Sequence, residues 1–494
     1  MHFDDLRQYI AKVEELGEVE RINGADPHLE IGAIYGVNAQ GPNPKLFLFD
    51  EIKGYQKGYR IATNPLGSPI RGRLARNIPL DLEGEELAAF SKKRFLEKRP
   101  VPPEWLSSGP VLENVMEGND VDLTRFPAPF WHELDGGPYI GTASAVMSRD
   151  PDSDWVNVGS YRSQLFDRNH VGLHQAYGHH GQIIRDHWFE RGLDCPVVIS
   201  LGQDPSLIVF SGNVEPWGVP ELDIAGYFRG APVQVVPGKS GLPIPATSEI
   251  TIEGFIMHPD HEPMRLEGGF GEASGYYSHI GGFAAPVIRI DTVYYRNDPI
   301  ITAQPPLKGA SRDFDAGEAR DGGEVGLMKL LAEAGFHDVR GIGHAGPFMV
   351  VSVHQMYAGH AKRIADWFMS GVGNRPPRML ALVDDDIDPH DQREVFWAIS
   401  SRTDPAESVH IYRNMWDGLG TRNPPEQKEI ELEHGLAFSS MVIDALKPFA
   451  WKEQFPPTNQ ISPELREKTI EKWGEYLALE PRQGQSRRGQ VQGW

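Results

Sequence analysis

Two carboxylates stand five residues apart in Glu267-Gly-Gly-Phe-Gly-Glu272-Ala-Ser-Gly-Tyr276, a stretch with four glycines among ten residues. A pair of acids can hold and deliver protons when their surroundings push their proton affinities apart. Glycine at this density weakens any helix or strand, and serves where the backbone takes a positive φ or comes very close to another group. The stretch therefore reads as a shaped loop whose backbone aims Glu267 and Glu272. A solvated turn that happens to carry two acids has the same composition, and these ten residues alone do not separate the two.

A second polar set lies upstream, in Asn157-Val-Gly-Ser-Tyr-Arg162, Tyr177-Gly-His179-His180-Gly181 and Ser211-Gly-Asn-Val-Glu-Pro-Trp-Gly-Val-Pro-Glu221. Asn, His and Glu offer oxygen and nitrogen ligands that suit Mn²⁺ or Mg²⁺ with open positions, which a phosphate can fill. Singly, each has a plainer explanation: His180 as a hydrogen-bonded histidine, Asp384-Asp-Asp-Ile-Asp388 as an acid cluster at a strand end. Arg162 gains meaning if it faces Glu267 or Glu272, because a guanidinium lowers the proton affinity of one acid while burial raises that of the other. A structural salt bridge uses the same residues.

Several other chemistries are excluded. Gly238-Lys239-Ser240 resembles the end of a phosphate loop, but Val233 stands where that motif needs glycine. No GxGxxG opens a helix, and neither a GxSxG elbow nor an HExxH pair is present. Cys195, the single cysteine, reads as a small buried hydrophobe rather than a nucleophile.

These groups need elements to hold them. Phe3, Leu6, Ile10, Val13 and Leu16 recur at helical spacing, and Gly17 closes the run. Strands over Lys45–Phe49 and Arg60–Thr63 and a helix over Leu82–Leu96 complete an N-terminal α/β domain, residues 1–115, bounded by the stiff Arg99-Pro-Val-Pro-Pro-Glu104. Residues 116–305 carry short apolar runs between glycines and prolines: Tyr139–Met147, Val156–Leu165, Pro196–Leu201, Leu207–Ser211, Val233–Val236, Glu249–Ile256 and Ala285–Tyr295. That pattern predicts a β-rich barrel or sandwich, with the acidic loop between its last two strands. Residues 306–450 alternate again, with helices over Val325–Ala334, His354–Phe368 and Asp391–Ser401 and strands over Phe348–Val353 and Met379–Val383, an α/β domain with parallel strands. Residues 451–494 hold a helix over Ser462–Leu479 and a polar tail.

With 494 residues the chain is long enough for two or three cores, and 40% hydrophobic residues with eleven tryptophans describe a globular protein. A net charge of −21, from 69 acids and 48 bases, argues against a nucleic-acid partner. A lone cysteine fits a reducing compartment, and the start lacks the basic and apolar regions of a signal peptide. No run approaches the roughly 18 apolar residues of a membrane span. The expected location is cytoplasmic, with no membrane partner.

Taken together, Asn157-x4-Arg162, His180, Glu221, Glu249-Ile-Thr-Ile-Glu-Gly254, Glu267-Gly-x-Phe-Gly-Glu272 and Asp384-Asp-Asp-Ile-Asp388 resemble the UbiD family of prenylated-flavin-dependent decarboxylases. The resemblance runs from the helix at Asp4–Leu16 to Met441-Val-Ile-Asp444-Ala445, with the motifs in family order. It implies a central split β-barrel that binds prenylated FMN through Asn157, Val158, Ser160, Tyr161, Arg162, His179, His180 and Glu221, with Arg378 helping to hold the phosphate. Asn157, His180 and Glu221 would hold Mn²⁺ or Mg²⁺. Val158, Phe210, Ser211, Asn213 and Glu221 would form a K⁺ site. Arg162, Glu267 and Glu272 match the family's catalytic Arg–Glu–Glu network. Two positions depart from the pattern: Gly269 stands where the family usually has proline, and His179 occupies a position that varies with substrate.

The implied reaction is reversible, non-oxidative decarboxylation of an aromatic or heteroaromatic acid through a covalent adduct with the flavin, with Glu272 as proton donor. A cofactor is needed on physical grounds as well, since no side chain stabilises the carbanion left when CO₂ departs from an sp² carbon. The alternatives are an α,β-unsaturated, cinnamate-like acid as substrate, a flavin-free metal-dependent hydrolase, or a protein that only holds the flavin. Family resemblance also implies a flavin prenyltransferase as cofactor supplier, and a homodimer or homohexamer in which the C-terminal helix takes part.

Overall fold

The computed structural model describes residues 2–213, 215–272, 275–278, 281–308, 321–371, 376–416, 437–458, 467–469 and 471. They divide into two compact units, one from Met1–Leu82 and Glu97–Asp321, the other from Glu83–Leu96, Gly322–Asp417 and Leu436–Trp494.

The first unit opens with the helix Leu6–Glu15, which buries Leu6, Tyr9, Ile10 and Val13. Asp5 caps it by accepting from the Gln8 amide, and Gly17 leaves it at φ +72°, as its sequence predicts. The helix covers a four-stranded sheet in the order Val19–Ala25, Leu46–Ile52, Arg60–Thr63, Ile300–Ala303. Ile300–Ala303 pairs in parallel with Arg60–Thr63, so the chain returns to its first sheet after building the second.

That second sheet has nine strands and antiparallel pairing, in the order Tyr139–Gly141, Ser163–Leu165, His170–Leu173, Val287–Tyr295, Ile250–Ile256, Cys195–Leu201, Ala145–Arg149, Val156–Gly159, with Asn114–Glu117 also on Val287–Tyr295. Its connectivity forces curvature. Val156–Gly159 and Ser163–Leu165 lie six strand spacings apart along the order, about 29 Å if flat, yet only Ser160–Arg162 join them, a reach of at most about 14 Å. The sheet therefore curls into a half-barrel. Its seam is the stretch that carries Asn157 and Arg162. A large apolar core that includes Trp131, Tyr139, Val171, Ile199, Ile252 and Ile290 runs on to Phe49, Ile61 and Ile301 of the four-stranded sheet.

Leu207–Ser211 corrects the sequence reading, which made it a strand. It is helical over Pro205–Phe210, with Asp204 accepting from the Ser206 amide and Pro205 in the first turn. A short, fully apolar run carries no period, and the cap decides it. Other helices escaped the sequence reading, among them Glu30–Ala39, His180–Phe189 and Glu221–Arg229. The acidic stretch, expected as a loop, holds two short strands, Arg265–Glu267 paired with Phe283–Ala285 and Phe270–Gly271 paired with Tyr277–Ser278.

In the second unit a five-stranded sheet runs in the order Val339–Ala345, Phe348–Val353, Met379–Asp384, Ala437–Ala445, Val409–Trp416. Its three inner strands are parallel, but both edges are antiparallel, so the expected parallel sheet is a mixed one. The helix predicted over His354–Phe368 starts only at His360, after Gly359 at φ +85°. Asp384 and Asp386 meet Arg402 and Lys447 in a half-buried ion-pair cluster, which accounts for the acidic run at the strand end. Apart from residues 467–469 and 471, the helix expected over Ser462–Leu479 lies outside the described residues.

Candidate active site

Arg162, the last residue of the seam, is buried. Its Nε donates to Glu267 Oε1 at 2.7 Å, and its Nη1 donates to Glu272 Oε1. One guanidinium thus holds both acids of the glycine-rich stretch, and their environments differ. Glu267 is fully buried, with Oε2 left without a hydrogen-bond partner, whereas the Glu272 side chain is 23% exposed. Burial pushes the Glu267 carboxyl above the ordinary carboxylate range; Arg162 opposes the shift and the nearby Glu272 charge adds to it.

A buried acid with a raised proton affinity favours the folded state while it is protonated. That stability is fully present below the ordinary carboxylate value and is lost as pH rises through the folded one. Glu267→Gln removes the dependence. Denaturation midpoints of the wild type and this variant, compared from about pH 5 to about pH 8, should diverge in the variant's favour as pH rises. Parallel curves would contradict the assignment.

Close approach explains the glycine directly after Glu267, and backbone conformation the one after Glu272. A Cβ on Gly268 would lie 2.1 Å from Gly136 Cα, so only glycine lets the two backbones touch. Gly275 has φ +80° and the backbone of Lys308 beside it. Phe270 sets its ring 4.3 Å from that of Tyr139, and the Arg162 guanidinium lies over it at 5.5 Å.

At the other end of the same short stretch, Asn157 Nδ2 donates to Glu221 Oε1 and the Val158 amide to Glu221 Oε2, each at 2.9 Å. Burial pushes the Glu221 carboxyl up to about 7. Asn157 Oδ1 is buried with no partner. His180 opens the helix His180–Phe189, which packs on the strand of Asn157, and burial lowers its proton affinity, keeping the imidazole neutral. An orphaned amide oxygen, a carboxylate and a neutral imidazole fit a divalent cation. Tyr161 turns back so that its ring fills the space beside Gly159, and its hydroxyl accepts from the Gly181 amide at 3.2 Å. Its ring centroid is 6.3 Å from that of His179. Ser160, between Gly159 and Tyr161 in the chain, is exposed.

The proposed K⁺ residues are less closely tied. Phe210 and Ser211 are buried at the end of Pro205–Phe210, a helix that packs on Glu221–Arg229, while Asn213 is exposed. Arg378 lies in the second unit, immediately before the strand Met379–Asp384, and its carbonyl accepts from the Met441 amide at 2.8 Å. Glu249, part of the family-like pattern, serves the fold by accepting from Arg7, Arg296 and the Ile300 amide. At Gly238-Lys239-Ser240 the backbone amides of Lys239 and Ser240 are already taken by the carboxylate of Glu253, which disposes of a phosphate loop there. Cys195 is buried and its thiol is pushed up to about 12, which makes it inert.

Models of the 3-octaprenyl-4-hydroxybenzoate carboxy-lyase match this chain in its N-terminal domain at residues 10–89, its Rift-related domain at 104–308 and its C-terminal domain at 327–445. A phenolic acid decarboxylase of Streptomyces sp. (strain D7) is 32% identical over 465 residues, covering 91% of this chain and 93% of that one. The chain belongs to the UbiD family. Among solved structures, the closed form of the vanillic acid decarboxylase of Sedimentibacter hydroxybenzoicus superposes with a TM-score of 0.83 at 26% identity, over 97% of this chain and 100% of that one. The UbiD-class enzyme HmfF of Pelotomaculum thermopropionicum, solved with prenylated FMN, shares the fold, with a TM-score of 0.74 at 24% identity over 96% of this chain and 100% of that one. This UbiD-family chain is accordingly a carboxy-lyase. Among the described residues no helix is long and apolar enough to cross a membrane.

The sequence reading missed Gly136 and Tyr139, which pack on Gly268 and Phe270, and Gln164, whose Oε1 accepts from the Gly268 amide. The only signal was the pair of glycines ahead of an aromatic, which reads equally well as a turn into a core strand.

Proposed function

We propose that this protein catalyses the reversible, non-oxidative decarboxylation of an aromatic or heteroaromatic carboxylic acid, with prenylated FMN as cofactor and Glu272 as proton donor. The observation that carries the reading is one buried guanidinium shared by a fully buried and a partly exposed carboxylate. Prenylated FMN, when bound, supplies the electron sink that loss of CO₂ from an sp² carbon requires.

The chain's own groups do the rest. Arg162 orients both carboxyl groups and offers positive charge where the substrate carboxylate is handled. Glu272, the more accessible acid, delivers a proton to the carbon that has lost CO₂. Glu267 holds Arg162 in place from the buried side. Asn157, His180 and Glu221 would hold Mn²⁺ or Mg²⁺, with Val158, Ser160, Tyr161 and His179 lining the flavin site. Val158, Phe210, Ser211, Asn213 and Glu221 would hold K⁺.

An aromatic substrate is favoured over a cinnamate-like acid because the relative at 32% identity is a phenolic acid decarboxylase and the structure at 26% identity is a vanillic acid decarboxylase. The domain plan, a central split barrel over residues 116–305 between α/β domains at 1–115 and 306–450, belongs to the same reading. So do supply of the cofactor by a flavin prenyltransferase and self-association through residues 451–494 as a homodimer or homohexamer.

The test is an absorbance spectrum, with mass analysis of the released ligand, on protein co-produced with a flavin prenyltransferase. A flavin band and a prenylated FMN mass are expected. A colourless protein carrying only metal would overturn the reading in favour of a flavin-free hydrolase. The cation site has its own check. Asn157→Leu replaces the orphaned amide oxygen with methyl groups and should weaken Mn²⁺ binding by roughly tenfold or more, measured by calorimetry on flavin-free protein. Unchanged affinity would remove Asn157 from the ligand set.

A further inference from the structure

Gly268, directly after Glu267, is held on both of its polar backbone groups by side chains. Gln164 Oε1 accepts from its amide at 2.8 Å, and the Tyr139 hydroxyl donates to its carbonyl at 2.9 Å. One residue further on, the Gly269 carbonyl accepts from the Gly136 amide at 2.8 Å. Gln164 Nε2 returns to the Gly136 carbonyl at 3.2 Å, which ties the two holding segments to each other. Tyr139 and Gln164 are both buried and sit on neighbouring strands, where they pair directly.

Gly268 and Gly269 are the first half of the link between the two acids, and Phe270, packed on Tyr139, begins the second. The two acids diverge from this point toward the same guanidinium. Regular pairing alone would leave Gly268 unheld, because the strands Arg265–Glu267 and Phe270–Gly271 stop on either side of it.

We propose that Tyr139 and Gln164 are positioning residues that clamp the Gly268 peptide and thereby set the aim of Glu267 and Glu272 on Arg162. The effect on rate rests on the decarboxylase reading; the clamp itself does not. Both residues act through the backbone of the acid-bearing segment and leave the chemistry to the acids. A displacement of an ångström at a reacting group costs on the order of a hundredfold in rate, far more than the loss of one neutral hydrogen bond costs the fold.

Tyr139→Phe removes only the hydroxyl and keeps the ring against Phe270. In the cofactor-loaded full chain, kcat should fall roughly 30- to 100-fold, with KM within about twofold and the flavin spectrum unchanged. Hydrogen–deuterium exchange followed by mass spectrometry should quicken in the segment spanning residues 264–278 and stay as it was in the second unit. Gln164→Leu should do the same, and it serves as the second variant if Tyr139→Phe folds poorly. Unchanged kcat with unchanged exchange in that segment overturns the proposal. Quickened exchange throughout the chain with loss of flavin also overturns it, because the residues are then general supports. If the wild type itself releases no CO₂ from any acid, the decarboxylase reading fails. The clamp is then judged on exchange alone: local quickening supports it and no change overturns it.

Discussion

Replacing Glu272 by Gln should lower turnover roughly 10²- to 10⁴-fold, the usual worth of a positioned general acid, while flavin and metal binding stay intact. The geometry makes this a sharp expectation. Glu272 is the one acid of the pair with solvent access, at 23% side-chain exposure, and the glutamine amide preserves its size and a contact to Arg162 while removing the transferable proton. Steady-state CO₂ release and the flavin spectrum, measured on the same sample, separate chemistry from binding. A variant that turns over at the wild-type rate would strip Glu272 of its role and would favour a protein that merely holds the flavin.

The second large effect is on the fold. Arg162→Met leaves Glu267 fully buried with no opposite charge, and breaking a buried pair from one side costs about 3–5 kcal/mol. The thermal midpoint should fall accordingly, and turnover should vanish. Adding Glu267→Gln to Arg162→Met should restore most of the lost stability, because the uncompensated charge is gone, without restoring turnover. A double variant as unstable as Arg162→Met would show that packing around Arg162 matters more than its charge.

Glu267, Glu272 and Arg162 are marked out by chemical types that are costly to bury without a partner, but it is the resemblance to the UbiD family that joins them into the network the structure holds. Asn157 and Glu221 were legible for the same reason, and they meet through a direct hydrogen bond. The helices behind His180 and Glu221 were harder to see. Each begins at a predicted ligand and neither has a hydrogen-bonding side-chain cap, so their starts lack the capping signature.

At Leu207–Ser211 four consecutive apolar residues suit a buried strand and a buried helix equally, and only the cap at Asp204-Pro205 distinguishes them. Tyr139 and Gln164 were invisible for another reason. A tyrosine in an apolar run and a glutamine between serine and leucine look like ordinary strand residues, and their role arises only once Gly268 is brought beside them from more than a hundred residues away. The curl of the central sheet was likewise out of reach of local pattern. It follows from strand order, and in particular from three residues that join strands far apart in that order.

The most direct test of the account is to run the reaction in D₂O with cofactor-loaded enzyme and a panel of hydroxylated and heteroaromatic acids, and to analyse the product by mass spectrometry and proton NMR. CO₂ release from at least one of these acids and a single deuterium at the carbon that carried the carboxylate are expected, both slowed roughly 10²- to 10⁴-fold in Glu272→Gln. CO₂ release that persists undiminished in that variant, or a wild-type enzyme that carries prenylated FMN and decarboxylates none of them, would contradict it.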